Sequence, residues 1–216
     1  MSNNLKKRIY TSVLLLILLT LMFINIYVLA YFLMIIGVIS ILEFSKIIQT
    51  TEKNITYKVL VKNILFSIYI FGLFSIFLVL SFFPHLKILI FIILLTCISS
   101  DIGGYVFGNL FKGPKLTKIS PKKTISGSIG SILFSMFSLS FLIYYFTEKF
   151  ELDILIAGLS ISIFCQVGDL IFSYLKRKSK IKDTGNILPG HGGILDRIDG
   201  ILFGMPFGFI IMLIIY

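Results

Sequence analysis

Charge is scarce in this 216-residue chain: 14% of residues are charged against 57% hydrophobic, and the 10 Asp and Glu are outnumbered by 20 Lys and Arg. With 22 Phe and a mean hydropathy of +1.01, a chain so poor in charge cannot stay soluble as a monomer, which excludes a water-soluble globular domain. Cysteine is almost absent too. Cys97 and Cys165 fall in separate apolar runs with no metal-ligand spacing and read as small core residues, so no disulfide framework organises the fold. No stretch has the spacing of a Walker A loop. No small-residue cleavage site precedes the second apolar segment, so Lys6-Lys7-Arg8 and the run behind them read as an uncleaved first span, not a signal peptide.

What is present is a series of long apolar runs, and it predicts an all-α, polytopic membrane protein. The first run, residues 9–48, is too long for one crossing of a ~30 Å hydrocarbon core and is broken near Asn25 into two spans. Further spans are expected at residues 64–83, 88–107, 129–146, 154–175 and 200–216, about seven in all. Of the 20 Lys and Arg, all but Lys87 and Lys149 fall at the N-terminus or in the 46–62, 112–123 and 176–197 loops, so these loops and the N-terminus are expected on the cytoplasmic side. The same distribution disposes of nucleic acid as a partner. A net charge of +10 is suggestive alone, but these cations lie where membrane topology would put them. Two regions follow: N-terminal membrane helices over 1–85, and a second membrane domain over 86–216 with polar loops at 108–126 and 176–199, the region expected to carry any chemistry.

Polar residues concentrate in three places. At the end of the sixth span, helical steps of about 100° put Asp169, Ser173, Lys176 and Arg177 on one stripe. An ionised Asp within a span costs about 2.5–3.5 kcal/mol unless it faces a partner or a wet cavity. Pairing with Lys or Arg purely as helix glue is the plainer alternative. Pro189-Gly190-His191-Gly192-Gly193 follows, a segment that cannot continue a helix and whose backbone can approach a ligand closely. Asp196 and Asp199 then stand three residues apart at the mouth of the last span, able to hold a divalent cation with Asp169 or to compensate Arg197 and nearby lysines. In the fourth span Asp101, Tyr105 and Asn109 repeat every four residues as a second stripe, while Gly103, Gly104 and Gly108 suit close helix packing. Ser120-Pro121-Lys122-Lys123-Thr124 offers a hydroxyl and two ammonium groups ahead of the fifth span. Cations, carboxylates and Gly-rich backbone at close quarters are what binding a metal-bound polyphosphate needs.

These residues resemble the phosphatidate cytidylyltransferase family, the CDP-diglyceride synthases. Ser173, Leu175, Lys176, Arg177, Lys182, Asp183, Gly185, Leu188, Pro189, His191, Gly192, Gly193, Ile194, Asp196, Arg197, Ile198 and Asp199 fill every specified place of the family's C-terminal motif. Asp101, Tyr105, Gly108, Phe111, the 120–124 segment and Gly168-Asp169 also look like family features, so the resemblance covers about 99–200. The N-terminal half matches only in general character, with Glu43-Phe44 closing the second span as an acidic-aromatic pair. Two departures stand out. Ser126 occupies the place before Gly127 where the family carries Glu or Gln, and the chain is shorter than typical members, as if one or two N-terminal helices were absent.

The resemblance implies transfer of CMP from CTP to phosphatidic acid, giving CDP-diacylglycerol and pyrophosphate. It implies Mg²⁺ as one ion or two and a homodimer among membrane lipids, while the lack of disulfide pairs and targeting segments fits a bacterial inner membrane. With the stripe, it points to Asp169 and Asp196 as metal ligands and Asp199 as a third ligand or support. Ser173, Lys176 and Arg177 would hold phosphates with Lys123 assisting, and Lys182, His191 and Arg197 join the binding set. A phosphate nucleophile is ionised already, so His191 is read as a structural donor and no general base is needed. CDP-alcohol phosphotransferases share Asp-x-x-Asp-Gly at 196–200, but no Asp follows Asp199 here. Transferases acting on other lipid phosphates, polyprenol-type kinases and a non-catalytic anion carrier are the remaining alternatives. A carrier would need a polar path through outer span halves that are strongly apolar.

Overall fold

The computed structural model describes residues 3–52, 56–117, 119–120, 123–187 and 192–215, with side chains from residue 12 and after residue 56 in the first and third helices. His191, Leu188 and Pro189 of the C-terminal motif, and Pro121 and Lys122, lie outside the described residues. The described chain is helical, as α1 (Asn3–Ile24), α2 (Ile26–Thr51), α3 (Thr56–Leu80), α4 (Pro84–Phe111), α5 (Ile125–Thr147), α6 (Leu152–Lys178), the short α7 (Leu195–Ile198) and α8 (Ile201–Ile215). The expected all-α class is present, and each expected span coincides with a helix. Among the described residues, six helical stretches, α2 to α6 and Leu195–Ile215, are long and apolar enough to cross a membrane, and α1 contributes a shorter apolar stretch at Ser12–Ile24. The protein is a multi-pass membrane protein.

The break near Asn25 is real and has a local cause. Asn25 is extended (φ −118°, ψ 120°), and its side chain accepts a hydrogen bond from the Tyr27 amide, so it caps α2 where α1 ends. α3 starts at Thr56 rather than near 64, because Tyr57, Val59, Leu60 and Val61 extend the apolar run N-terminally around Lys58 and Lys62. Pro84 opens α4, a position where its missing N–H is not needed.

By contact density the chain forms two compact units, Met1–Lys87 with Leu175–Arg197, and Ile88–Tyr174 with Ile198–Tyr216. In the first, α2 and α3 pack through stacked Phe44 and Phe66 rings with centroids 3.9 Å apart, and Gly37 admits the Ile70 side chain. Beyond the end of α2, Glu52 accepts from Lys62 at 2.6 Å and lies 3.8 Å from Lys178. The Lys62 hydrogen bond, with the charges of Lys62, Lys178 and Lys58, holds the Glu52 carboxyl below the usual carboxylate range despite desolvation.

The second unit is built on small residues. A Cβ on Gly103 would lie 2.5 Å from the Gly130 carbonyl oxygen, and one on Gly104 would lie 2.5 Å from Ser131 Oγ, so α4 and α5 touch backbone to backbone. Gly158 meets Met136 Cα in the same way, at 2.7 Å, and Gly168 meets the Asp199 carbonyl at 2.6 Å. Cys97 and Cys165 are buried, unbridged and close against Gly204, which agrees with their reading as core residues. Polar glue runs through the same interior: Ser100 and Ser162 hydroxyls are 2.9 Å apart, and Gln166 donates to Ser162 Oγ at 3.2 Å and to the Ser128 carbonyl at 3.3 Å. Close backbone approach brings these short side chains within hydrogen-bonding reach.

Candidate active site

Three sequence features meet at one cavity of about 330 Å³ in the second unit. Asp101, Tyr105 and Asn109 supply one wall from α4, Asp169 and Ser173 supply another from α6, and Ser120, Lys123 and Thr124 close it from the loop before α5. The whole α4 stripe therefore lines this space, whereas of the expected α6 stripe only Asp169 and Ser173 do; Lys176 and Arg177 are not among its lining residues. Gly104, Gly108 and Gly127 also line it, because the close approach of α4 and α5 leaves no side chains to fill it there.

Loop geometry aims Lys123. Lys115 and Thr124 are bridged as antiparallel partners, with the Leu116 amide on the Lys123 carbonyl at 2.8 Å and the Ile125 amide on the Pro114 carbonyl at 3.0 Å. Thr124 then caps α5 by accepting from the Gly127 amide at 3.1 Å. Held between this bridge and this cap, Lys123 places its ammonium on the Asp169 carboxylate. The pair is partly exposed, at 26% and 30% for the two side chains, so a ligand entering the cavity meets both charges. Ser126, at the family's Glu or Gln position, accepts from the Gly113 amide at 3.3 Å and lies 3.1 Å from Thr124 Oγ1. Its hydroxyl serves the loop.

In the first unit Asp196 organises the polar segment. Its Oδ1 accepts from Lys176 Nζ at 2.7 Å, and its Oδ2 accepts from the Thr184 and Gly193 amides at 2.8 and 3.0 Å and lies 3.1 Å from Thr184 Oγ1. Gly192 makes the tight turn beside it in the left-handed region (φ 83°). Lys182 and Arg197 are exposed, as is Arg177 at the end of α6. Asp199, in the second unit, is buried, and its Oδ1 accepts from the Gly200 amide at 3.0 Å; it is not on the cavity wall.

Among the described residues, no group of three or more His, Cys, Asp and Glu side chains is placed to hold a metal ion. The cavity offers instead two carboxylates, Asp101 and Asp169, amid hydroxyl and amide oxygens. An all-oxygen donor set with one or two carboxylates suits Mg²⁺, which keeps waters and takes substrate phosphates as its remaining ligands.

Sequence reasoning noted Glu43 only as half of an acidic-aromatic pair and assigned it no role. Glu43, on α2, is 2% exposed and accepts from Thr184 Oγ1 at 2.7 Å, the Leu195 amide at 2.8 Å and the Ile194 amide at 3.1 Å. An acid inside an apolar run is a signal in itself. Gln166, on the cavity wall and bonded to Ser128, was missed as well.

The model of the cytidylyltransferase family matches residues 4–215. The chain belongs to the cytidylyltransferase family. It is 45% identical over 111 residues to a phosphatidate cytidylyltransferase of Staphylococcus haemolyticus (strain JCSC1435), covering 50% of this chain and 42% of that one. Against proteins of the same name it is 46% identical over 132 residues in Rickettsia bellii (strain RML369-C), covering 56% of each chain, and 43% identical over 113 residues in Bacillus subtilis (strain 168), covering 50% and 41%. The chain spans about half the length of the curated relatives it matches. The resemblance read from the C-terminal motif is thereby shown at the level of family.

Proposed function

We propose that this chain acts as a phosphatidate cytidylyltransferase, joining CMP from CTP to phosphatidic acid and releasing pyrophosphate, with CDP-diacylglycerol as product. The observation that carries the reading is the cavity where Asp101, Asp169 and Lys123 meet with hydroxyls on every side. In the reaction a lipid phosphate oxygen forms a bond to the α-phosphorus of CTP, while the bond from that phosphorus to the bridging oxygen of pyrophosphate breaks. Both reactants are anions, so repulsion is the main obstacle and no proton need be removed. Asp169 and Asp101 would hold Mg²⁺, which when bound would neutralise phosphate charge and polarise the reacting phosphoryl group.

The chain's own residues account for the rest. Lys123 balances Asp169 and can turn to a phosphate oxygen once the carboxylate has another cation. Ser120, Thr124 and Ser173 offer hydroxyl donors on the same walls. Lys176, Arg177, Lys182 and Arg197 are the candidates for further phosphate contacts, and His191 is a donor of the same motif. Asp196, with its oxygens engaged by Lys176, Thr184 and Gly193, suits a role in shaping that segment, and Asp199 suits a role beside the α6 backbone.

The polar loops and N-terminus would face the cytoplasm, in a bacterial inner membrane, and the protein would work as a homodimer. The distribution of Lys and Arg supports that orientation. Purified protein in detergent, given CTP, Mg²⁺ and phosphatidic acid, is expected to release pyrophosphate and form CDP-diacylglycerol. Release with a polyprenyl phosphate and not with phosphatidic acid would move the reading to another lipid phosphate, and no release with either would overturn it.

A further inference from the structure

We infer that Glu43 is a positioning residue that holds Thr184 and the Gly193–Asp196 turn where they set Asp196 against Lys176. The inference rests on the reading that the polar segment's cations bind substrate phosphate. A carboxylate buried in an apolar helix is retained only where donors replace its water. All three hydrogen bonds to Glu43 described above come from this one segment, 141 to 152 residues further along the chain. Two of them satisfy the Ile194 and Leu195 amides at the start of α7, where a helix has no internal acceptors to offer.

The segment closes on this carboxylate at unusually short range. A Cβ on Gly193 would come within 2.5 Å of Glu43 Oε2, and one on Gly185 would run into Oε1, so glycine at both places lets the backbone approach. Thr184 completes the link. Its hydroxyl has one proton to donate and lies 2.7 Å from Glu43 Oε2 and 3.1 Å from Asp196 Oδ2, while its amide donates to Asp196. Displacing Glu43 therefore frees two amides and a hydroxyl together and loosens the base on which Asp196 receives Lys176. Glu43 thus links the N-terminal half of the chain to the C-terminal motif.

Hydrogen exchange of a 192–198 peptide, read beside steady-state kinetics on the detergent-purified full chain, tests this. Glu43→Ala is expected to speed exchange at Ile194 and Leu195 by about 100-fold or more while α4 and α5 stay protected. Its KM for CTP is expected to rise about tenfold with kcat within about threefold of wild type. Glu43→Gln keeps one acceptor oxygen but turns an NH₂ toward donors, and should fall between. A merely structural role would shrink the folded fraction, lowering apparent kcat with KM unchanged in both variants, and that result overturns the inference. Unaltered exchange in Glu43→Ala or Glu43→Gln overturns it too. Should wild-type protein release no pyrophosphate, the exchange still decides whether Glu43 holds the segment, while the proposed function fails on its own.

Discussion

The ammonium of Lys123 rests on the carboxylate of Asp169, an ion pair that ties the loop before α5 to α6. Without that partner, Asp169 would be an isolated charge on an apolar helix, and the pairing offsets part of the penalty. The pair is also partly open to the cavity, so each member can exchange its partner for a charge on a ligand.

Replacing Lys123 separates its two roles. In Lys123→Met the carboxylate of Asp169 loses its competitor, and Mn²⁺ used as a paramagnetic probe is expected to bind about tenfold tighter in the absence of nucleotide. Turnover should nevertheless fall about 10²- to 10³-fold, the usual effect of deleting one charged donor to a reacting phosphoryl group. Weaker Mn²⁺ binding in this variant would mean that Lys123 does not compete for Asp169.

Removing the metal should stop the reaction. Excess EDTA is expected to abolish pyrophosphate release, and Mg²⁺ added beyond the chelator should restore it, because two polyanions must be brought together. Undiminished release in EDTA would contradict a metal-dependent cavity.

The glycine seam between α4 and α5 makes a stability prediction with an internal control. Gly103→Ala drives a methyl group to 2.5 Å from the Gly130 carbonyl and is expected to cost about 1–3 kcal/mol, read as a lower thermal midpoint in detergent. Gly72→Ala, on α3 with nothing within 4 Å of the new Cβ, should be neutral or slightly stabilising.

Ser126 stands where relatives are expected to carry a longer polar side chain, yet its contacts are with Gly113 and Thr124. Ser126→Ala should therefore cost about 1 kcal/mol of stability and change kcat less than about threefold. A loss of 100-fold in kcat would show that the hydroxyl meets substrate.

Local patterning made much of this legible. Hydropathy placed the spans because apolar length is a property of contiguous sequence, and Asn25 marked the first break because its side chain caps the helix that follows it. Four-residue spacing put Asp101, Tyr105 and Asn109 on one face, and Asp169 with Ser173 on another, and both faces line the cavity. What spacing could not show is which groups meet across the chain. Lys123 meets Asp169 beside a bridge between Lys115 and Thr124, and Glu43 meets Thr184 where Gly185 and Gly193 let a distant part of the chain approach it. For the same reason the sequence left Asp196 between holding a cation and compensating nearby cations, and in the structure its oxygens are engaged by Lys176, Thr184 and Gly193.

The most direct test of the cavity as the catalytic centre is the rate of pyrophosphate release from CTP and phosphatidic acid by Asp169→Asn beside wild type, both purified, Mg²⁺-supplied and matched for folded protein by thermal unfolding. The asparagine keeps the shape and removes the charge that Lys123 and a metal ion would share. A fall of at least about 100-fold with an intact fold is the predicted result. A rate near that of wild type would contradict the account.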